Sequence, residues 1–310
     1  MKLYKVNTGL LEKVMSDPFK LEKDIQNLVE ENTELLFGLE FVSSEFTVDT
    51  FRLDTLCYDE ENKSFIIIEY KKDKTFSVID QGYTYLSLLL NNKAEFILEY
   101  NETQAKNLRR DDIDWSQSRV IFISPRFTDY QKHSVNFKDV PFELWEIHRY
   151  ENGMIGLLKH EADSKESIQQ TSSGKSDSVM KSVSDEVKVY DEEYHLDKSE
   201  NRPEEVKELY YKLKERILEL GDDIEVKFMA QTIQFKRDRS FVDLIIYNYG
   251  IVSVINLKSG ELDDPREEAE DVSQKGHWGN GDYKYRVHPG DEIEYAIYLI
   301  KQAYEKQESN

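Results

Sequence analysis

Residues 65–71 of this chain, with the sequence FIIIEYK, lie in a predicted β-strand at 64–71 that is apolar on both faces and ends in an acidic and a basic residue. Side chains alternate along a strand, so Glu69 and Lys71 share one face and Tyr70 lies on the other. A strand that is apolar on both faces must be covered on both sides, like the central strand of a layered sheet. The segment therefore predicts an α/β fold in which Glu69 and Lys71 emerge together at the end of a buried strand.

The neighbouring segments predict the other elements of this first domain. Asp17 as an N-cap, followed by Pro18, predicts the start of a helix. A second helix is predicted at residues 76–90, and further strands are predicted at 51–58, 95–100, 119–124 and 142–150. This order of helices and strands indicates an α/β layer fold.

The composition changes sharply at residues 161–201, which are rich in serine, lysine and acidic residues and poor in periodic apolar ones. Such a segment buries too little apolar surface to order itself, so we predict a flexible linker there. It separates a first domain at 1–160 from a smaller α+β domain at 202–310. We expect the second domain to serve recognition or dimerisation, the latter giving a homodimer.

The net charge of −21 argues against a general DNA-coating protein, because an acidic surface repels phosphates. A chain of this charge can still bind DNA where a local basic rim meets the backbone and metal ions neutralise the cleft. No apolar run reaches the roughly 18 residues of a membrane span, and we expect no signal peptide. The one cysteine, Cys57, excludes a disulfide framework. We therefore expect a cytoplasmic protein without a membrane partner.

Asp54 lies on the predicted strand before FIIIEYK, among apolar residues. A carboxylate in such surroundings is costly unless it meets a cation. Two carboxylates beside an ammonium group fit a site for Mg²⁺, which takes oxygen ligands and keeps several waters. If the substrate is a phosphodiester, the Lys71 ammonium group would orient the water that attacks it or offset the charge that develops on phosphorus. The spacing alone leaves an alternative open, a surface ion pair at the end of a strand.

Two further features favour a site. The helical rotation of about 100° per residue places Glu22 on the core side of the first helix, whereas Glu30 points away from it. Gln81 and Tyr85 lie four residues apart on the next helix, hence on one face. This pair would brace Lys71 or hold a phosphate, and its alternative is a polar pair on the helix surface.

Taken together, these residues resemble the PD-(D/E)xK nuclease superfamily, and within it the NucS-like and RecB-like nuclease domains. The resemblance covers about residues 17–150 and is carried by Glu22, Asp54, Glu69, Lys71, Gln81 and Tyr85. It implies a restriction-endonuclease-like fold, with a mixed sheet flanked by helices. In this fold Asp54 and Glu69 would bind Mg²⁺ or Mn²⁺, Glu22 would complete the metal shell and Lys71 would assist hydrolysis. Gln81 would support the site, and the candidates for nucleic-acid contact are Tyr85, Lys72 and Lys74. The sequence departs from the family pattern at Leu53, where many members carry proline before the aspartate.

The resemblance implies a metal-dependent deoxyribonuclease with DNA as its substrate, acting in DNA repair or in defence against foreign DNA. The alternative is a catalytically inactive nuclease fold that binds nucleic acid or a protein partner. The whole architecture is also similar to bacterial proteins loosely labelled predicted transport proteins, which join such a domain to a C-terminal one. The transport label is set aside, because no segment of this sequence would cross a membrane.

The second domain repeats the order of the first site. A strand with Asp243 is followed by a turn, an apolar strand and the pair Asn256 and Lys258. Two interpretations stay open, a degenerate second copy and convergent strand patterning. A glycine-rich loop at 276–283 carries His277 and Trp278, which would stack on a base. The alternative for this loop is a packed structural turn with a buried tryptophan.

Overall fold

The structure, a computed structural model, describes residues 2–72, 77–137, 139–160, 177–199 and 201–308. The chain divides into two units, Met1–Val189 and Tyr190–Asn310, and each contains a six-stranded sheet. Within the described ranges, every helix is too short or too polar to cross a membrane.

The first unit begins with a hairpin of β1 (Leu3–Asn7) and β2 (Leu10–Val14). Its main sheet consists of β3 (Glu40–Val48), β4 (Phe51–Asp59), β5 (Ser64–Tyr70), β6 (Arg119–Ser124), β7 (Phe142–Arg149) and β8 (Ile155–His160). Its helices are α1 (Glu22–Glu30), α2 (Thr33–Phe37), α3 (Val78–Asn91), α4 (Lys93–Gln104), α5 (Asp129–Ser134) and α6 (Asp177–Glu186). Short 3₁₀ turns lie at Arg110–Asp112 and Trp115–Gln117.

The strands of the main sheet follow one another in space in the order β3 to β8. β3, β4 and β5 are antiparallel neighbours, β5, β6 and β7 run parallel, and β8 is antiparallel to β7. β5 is buried along its whole length, as its two apolar faces require. The prediction of a mixed α/β sheet with the FIIIEYK segment inside it is confirmed.

The alternation of side chains in β5 sends its residues into two separate cores. Phe65 and Ile67 pack with residues of α3 and α4 on one face. Ile66 and Ile68 pack with residues of α1 and α2 on the other. Helices therefore cover both faces of the sheet, and a polar group at the end of β5 lies between two apolar layers.

The first helix begins at Glu22, so the prediction of a start at Pro18 is wrong. Leu21 is its N-cap and has an extended backbone with a φ of −127°. Asp17 has a different use: its main-chain N–H donates to the carbonyl of Arg149 at 2.9 Å, and its carboxylate pairs with the Arg149 guanidinium at 3.0 Å. The segment before α1 is thereby tied to β7 instead of starting the helix.

The segment at 95–100 lies in helix α4, so the prediction of a strand there is wrong. Phe96 and Tyr100, four residues apart, are buried on one face of α4, whereas Leu98 is 53% exposed. A strand would have placed all three on one face. The short apolar run fits both periodicities, and packing against the sheet selects the helix.

The range 161–201, predicted as a flexible linker, contains two helices among its described residues. α6 packs on α3, and Val183 and Val187 are buried in the core of the first unit with Met180 against them. Three apolar residues spaced three and four apart are enough to form one helical stripe. The second helix, α7 (Glu192–Asp197), belongs to the second unit. The ordered units therefore extend into the range predicted as linker.

The second unit is an α+β domain, as predicted. Its other helices are α8 (Glu204–Leu218) and α9 (Glu294–Glu308). Its strands are β9 (Glu225–Phe228), β10 (Ile233–Lys236), β11 (Ser240–Tyr247), β12 (Gly250–Ile255), β13 (Glu270–Asp271) and β14 (Tyr283–Val287). They are arranged in the order β13, β14, β12, β11, β10, β9, and all neighbours are antiparallel.

The two units differ in register and topology. In β11 and β12, Asp243 lies opposite Val254, so Asn256 falls two positions beyond the partner of Asp243. The register of β4 and β5 leads instead to Asp54 opposite Glu69. β12 has antiparallel neighbours on both sides, whereas β5 has a parallel neighbour in β6. The structure therefore does not support an internal copy.

Candidate active site

The candidate site lies at the carboxyl end of β5. Glu69 is 2% exposed there, on the face of the sheet that α3 and α4 cover. The pairing of β4 with β5 runs up to Thr55 and Ile68, and its next position sets Asp54 opposite Glu69. The Asp54 carboxylate accepts a hydrogen bond from the main-chain N–H of Tyr70 at 3.0 Å. The two predicted carboxylates are therefore brought together on adjacent strands.

Glu69 is held through one of its two oxygens. Its Oε1 accepts hydrogen bonds from Lys71 Nζ at 2.6 Å and from Gln81 Nε2 at 2.7 Å. Gln81 Nε2 also lies 2.8 Å from the hydroxyl of Tyr85, one turn further along α3. The other oxygen of Glu69, Oε2, is buried and has no hydrogen-bond partner among the described residues. Gln81 and Tyr85 thus share a helix face and brace the carboxylate.

The electrostatics of the pair follow from its burial. Burial raises the pKa of the Glu69 carboxyl above its ordinary value, and the charge of Asp54 raises it further. Burial also raises the pKa of Asp54, against the opposing effects of the Tyr70 N–H and the Lys71 ammonium. A buried acid pair of this kind disfavours two negative charges unless a cation offsets them.

Tyr85, a predicted nucleic-acid contact, is largely buried. Its side chain is 6% exposed and turned toward Gln81. Lys72 is exposed beside the site, and its ammonium group contacts the main-chain carbonyl of Lys20. Lys74 lies outside the described residues.

Glu22 lies at the exposed start of α1, so its predicted place on the core side is wrong. It still faces the site, since it accepts a hydrogen bond from the main-chain N–H of Lys72 at 2.6 Å and its charge raises the pKa of Asp54. Glu30, predicted to point away, accepts a hydrogen bond from buried Thr55 at 2.6 Å. The helix has Ile25, Gln26 and Val29 on its buried face, which turns Glu30 toward the sheet.

The donor set fits a hard divalent cation held by few protein ligands. Asp54 and Glu69 supply carboxylate oxygens, and the unpartnered Oε2 of Glu69 is a buried acceptor without a donor in the described part of the chain. Within that part, no group of three His, Cys, Asp or Glu side chains is close enough to hold a metal ion. Mg²⁺ commonly binds through one or two carboxylates and keeps several waters. Two carboxylates therefore suit it, and Glu22 stands outside this pair.

The candidates in the second unit form no comparable group. Asp243 is fully buried, and its carboxylate accepts hydrogen bonds from Ser240 Oγ at 2.7 Å and Asn280 Nδ2 at 3.0 Å. Asn256 donates its side-chain amide to the carbonyl of Ser240 at 2.6 Å, and Lys258 is exposed. Asp243 thus anchors the glycine-rich loop through Asn280, which is a structural use of a buried carboxylate.

The glycine-rich loop itself exposes its tryptophan. Trp278 is 62% exposed, so the alternative of a buried tryptophan is wrong. The ring nitrogens of His277 lie 2.8 Å from the main-chain carbonyls of Lys275 and Gly281. His277 is therefore tied to the loop backbone, whereas the Trp278 ring is open to solvent; their stacking on a base stays a prediction.

We expect Gly281→Ala to lower the free energy of unfolding by about 2 kcal/mol, because a strained conformation costs about 1–3 kcal/mol. Gly281 has a φ of +106°, and a Cβ there would meet the carbonyl oxygen of Ile255 at 2.1 Å. Gly276→Ala, in the same loop, is the control, since a Cβ at Gly276 meets nothing within 4 Å. Urea unfolding of both variants checks this, and equal stabilities would contradict the tight approach of loop and strand.

Comparison with known proteins gives one match along the whole chain and several partial ones. A family model described as a domain of unknown function, DUF5655, matches residues 195–307. A Haemophilus influenzae protein, described as uncharacterized, is 45% identical over 304 residues, which cover 98% of this chain and 99% of that one.

Three solved structures resemble part of the chain. A repair endonuclease from Pyrococcus abyssi is 18% identical, covers 38% of this chain and 44% of its own, and has a TM-score of 0.22. The EndoMS–dsDNA2 complex is 16% identical, covers 42% and 47%, and has a TM-score of 0.24. SfsA of Pyrococcus furiosus in complex with Ca²⁺ is 16% identical, covers 50% and 73%, and has a TM-score of 0.25. The matches span less than half of the first two chains, and likenesses this partial carry no argument about function.

Proposed function

This chain belongs to one family with the Haemophilus influenzae protein, and from the geometry of its first unit we propose that it is a metal-dependent deoxyribonuclease. One observation carries the proposal. The Glu69 carboxylate is buried beside Asp54, bonded to Lys71 and Gln81 through one oxygen, and without a partner in the described residues at the other. The oxygen without a hydrogen-bond donor is a suitable ligand for a divalent cation, which takes carboxylate oxygens.

The side chains divide the work of phosphodiester hydrolysis among them. A Mg²⁺ or Mn²⁺ ion held by Asp54 and Glu69 would act as a Lewis acid and lower the pKa of the attacking water. The Lys71 ammonium group would stand beside the reacting phosphate and offset the charge that develops on its oxygens. Gln81 keeps the Glu69 carboxylate oriented by donating to it from α3.

Cations at the rim of the site favour a phosphate substrate despite the net charge of −21. Lys72 is exposed next to Lys71. Arg52 lies two residues before Asp54 on β4; it forms an exposed ion pair with Glu45 at 3.2 Å, and its charge also acts on the Asp54 carboxyl. Local positive charge of this kind attracts a phosphate backbone that the rest of the surface repels. We propose that Lys72 and Arg52, which both lie beyond the acidic pair toward the carboxyl end of β5, meet the DNA backbone.

A second candidate function is an inactive nuclease fold that binds nucleic acid or a protein partner. One observation favours it: the Lys71 ammonium group lies 2.6 Å from Glu69. A lysine that neutralises the buried acid makes a metal ion unnecessary for the stability of the site. The two candidates therefore differ in whether a divalent cation displaces this internal contact.

Titration with Mn²⁺, followed by electron paramagnetic resonance of the free ion, tests the proposal. We expect one site per chain, and we expect Asp54→Asn to weaken it by more than about 100-fold, since loss of an outer-shell partner alone costs about 10–100-fold. Asp49→Asn is the matched control, because Asp49 is an exposed carboxylate in the turn before β4. If the wild type binds no Mn²⁺, or if Asp54→Asn binds it equally well, the inactive fold is the correct alternative.

A further inference from the structure

A polar network lies on the face of β4 and β5 opposite Glu69, within the apolar core that packs against α1. Thr55 and Tyr70 are 0% and 1% exposed, and Gln26 is 6% exposed. Polar groups buried this far are costly unless each finds a partner. The hydroxyls and the Gln26 amide find partners in one another, in Glu30 and in Asp54.

The contacts form a closed circuit of hydrogen bonds, in which the step from the Tyr70 hydroxyl to the Tyr70 main-chain N–H runs through the covalent structure of Tyr70 itself. Gln26 Nε2 lies 3.0 Å from the main-chain carbonyl oxygen of Asp54 and 2.9 Å from Glu30 Oε1. The same Glu30 oxygen lies 2.6 Å from Thr55 Oγ1, which is 3.1 Å from the hydroxyl oxygen of Tyr70. The main-chain N–H of Tyr70 donates to the Asp54 carboxylate at 3.0 Å. The circuit therefore begins and ends at Asp54.

The number of protons fixes the direction of each bond. The single proton of the Thr55 hydroxyl goes to the Glu30 carboxylate oxygen, its nearer neighbour at 2.6 Å, so Tyr70 donates to Thr55. The amide group of Gln26 has two protons, and its two shortest contacts are the acceptors on Glu30 and Asp54. Every donor in the circuit is thus directed toward an acceptor.

We propose that Gln26, Glu30 and Thr55 are positioning residues that hold Asp54 for metal binding. The inference rests on the proposed function, in which Asp54 is a ligand. Asp54 is held at its main chain by Gln26 and at its carboxylate by the Tyr70 N–H, and Glu30 connects the two through Thr55. Helix α1 therefore orients Asp54 from one face of the sheet, while Gln81 on α3 orients Glu69 from the other face.

The network offers a matched set of variants for a test. Glu30→Leu removes the acceptor that joins Gln26 to Thr55. Glu30→Gln keeps an oxygen that can accept both bonds, so it should restore the network. Glu31→Leu is the control, because Glu31 is the exposed glutamate next in the chain. Thr55→Val, with Thr55→Ser as its restoring partner, tests the same circuit if Glu30→Leu does not fold.

Two readouts distinguish positioning from a general loss of stability. We expect Glu30→Leu to raise the Mn²⁺ dissociation constant by about 10–100-fold, as outer-shell substitutions do, and Glu30→Gln and Glu31→Leu to stay close to wild type. In the metal-free protein, we expect hydrogen exchange of the Tyr70 amide to accelerate about tenfold in Glu30→Leu, since its bond to Asp54 loosens. Amides of β11, in the second unit, should exchange at unchanged rates.

The two readouts also separate this inference from the proposed function. If the wild type binds no Mn²⁺, the proposed metal site is wrong. Hydrogen exchange of the Tyr70 amide still shows in that case whether Glu30 orients Asp54. Equal Tyr70 exchange in wild type and Glu30→Leu overturns the inference, whatever the metal affinity. The inference is also overturned if Glu30→Gln binds Mn²⁺ as weakly as Glu30→Leu does. Restoration by Glu30→Gln in both measurements supports it.

Discussion

Replacing Lys71 with methionine is expected to lower the rate of DNA cleavage by about a thousandfold, the effect of removing a group that stabilises charge in the transition state. The Lys71 ammonium group lies 2.6 Å from Glu69, and its side chain is 23% exposed, so it is held at the site yet accessible to a phosphate. Methionine retains most of the length of the side chain and loses its charge. Cleavage of supercoiled plasmid DNA in Mg²⁺ measures the rate.

The control for this variant is a second lysine with a glutamate partner. Lys5 pairs with Glu12 in the β1–β2 hairpin at 3.3 Å, and both side chains are largely exposed. Such surface pairs contribute about 0–1 kcal/mol, so Lys5→Met should cleave at the wild-type rate. We expect Lys71→Met to keep or improve its Mn²⁺ affinity, because the ammonium group no longer competes for Glu69. Cleavage at the wild-type rate by Lys71→Met would rule out the catalytic assignment.

Alternation along β5 made the centre of the site predictable from the sequence. A strand that is apolar on both faces belongs in the interior of an α/β sheet, and Glu69 then lies at the carboxyl end of that buried strand. Asp54 follows from the same periodicity on the adjacent strand. The spacing of Gln81 and Tyr85 predicted a shared helix face, and the structure brings that face to Glu69. Periodicity within an element was therefore sufficient to place these side chains, whereas the metal site that the resemblance implies stays a prediction.

The rotation of α1 about its axis was not predictable in the same way. The sequence placed Glu22 inward and Glu30 outward, and the structure has Glu22 exposed and Glu30 bonded to buried Thr55. Glu22, Gln26 and Glu30 form one stripe with a spacing of four, which is the signal that would have identified the network. The stripe was obscured because polar residues on a helix usually face solvent. Which polar stripe is buried depends on the donors that the sheet presents.

Contacts distant in sequence decided the remaining differences. Asp17 pairs with Arg149, far along the chain, and this contact delays the start of α1. The register of β11 and β12 separates Asp243 from Asn256, although the order of residues repeats that of the first site. A shift of two residues leaves the same face buried, so the apolar pattern cannot detect it.

In the metal-free protein, we expect the contribution of Asp54 and Glu69 to stability to fall as the pH rises above their ordinary pKa values, and a divalent cation to restore it. Burial raises the pKa of both Asp54 and Glu69 in the folded state. Between the ordinary and the raised values, the folded chain binds more protons than the unfolded chain, so this contribution to the free energy of unfolding falls as the pH rises. At neutral pH, Mn²⁺ at 100 times its dissociation constant should add about 2.7 kcal/mol.

Comparison with Glu69→Gln isolates this contribution from that of the other carboxyls. Glu270, whose pKa is lowered by its hydrogen bond with Lys275, contributes in the opposite sense, since stability from a lowered pKa is lost as the pH falls. Such groups are unchanged in Glu69→Gln, so they cancel in the difference between the two proteins. Thermal unfolding from pH 4 to pH 8, with and without Mn²⁺, should therefore give curves that converge at low pH and diverge in favour of the variant at neutral pH without metal. Parallel curves without metal would mean that Glu69 does not strain the metal-free fold. Equal stabilisation of both proteins by Mn²⁺ would mean that Glu69 does not bind the ion.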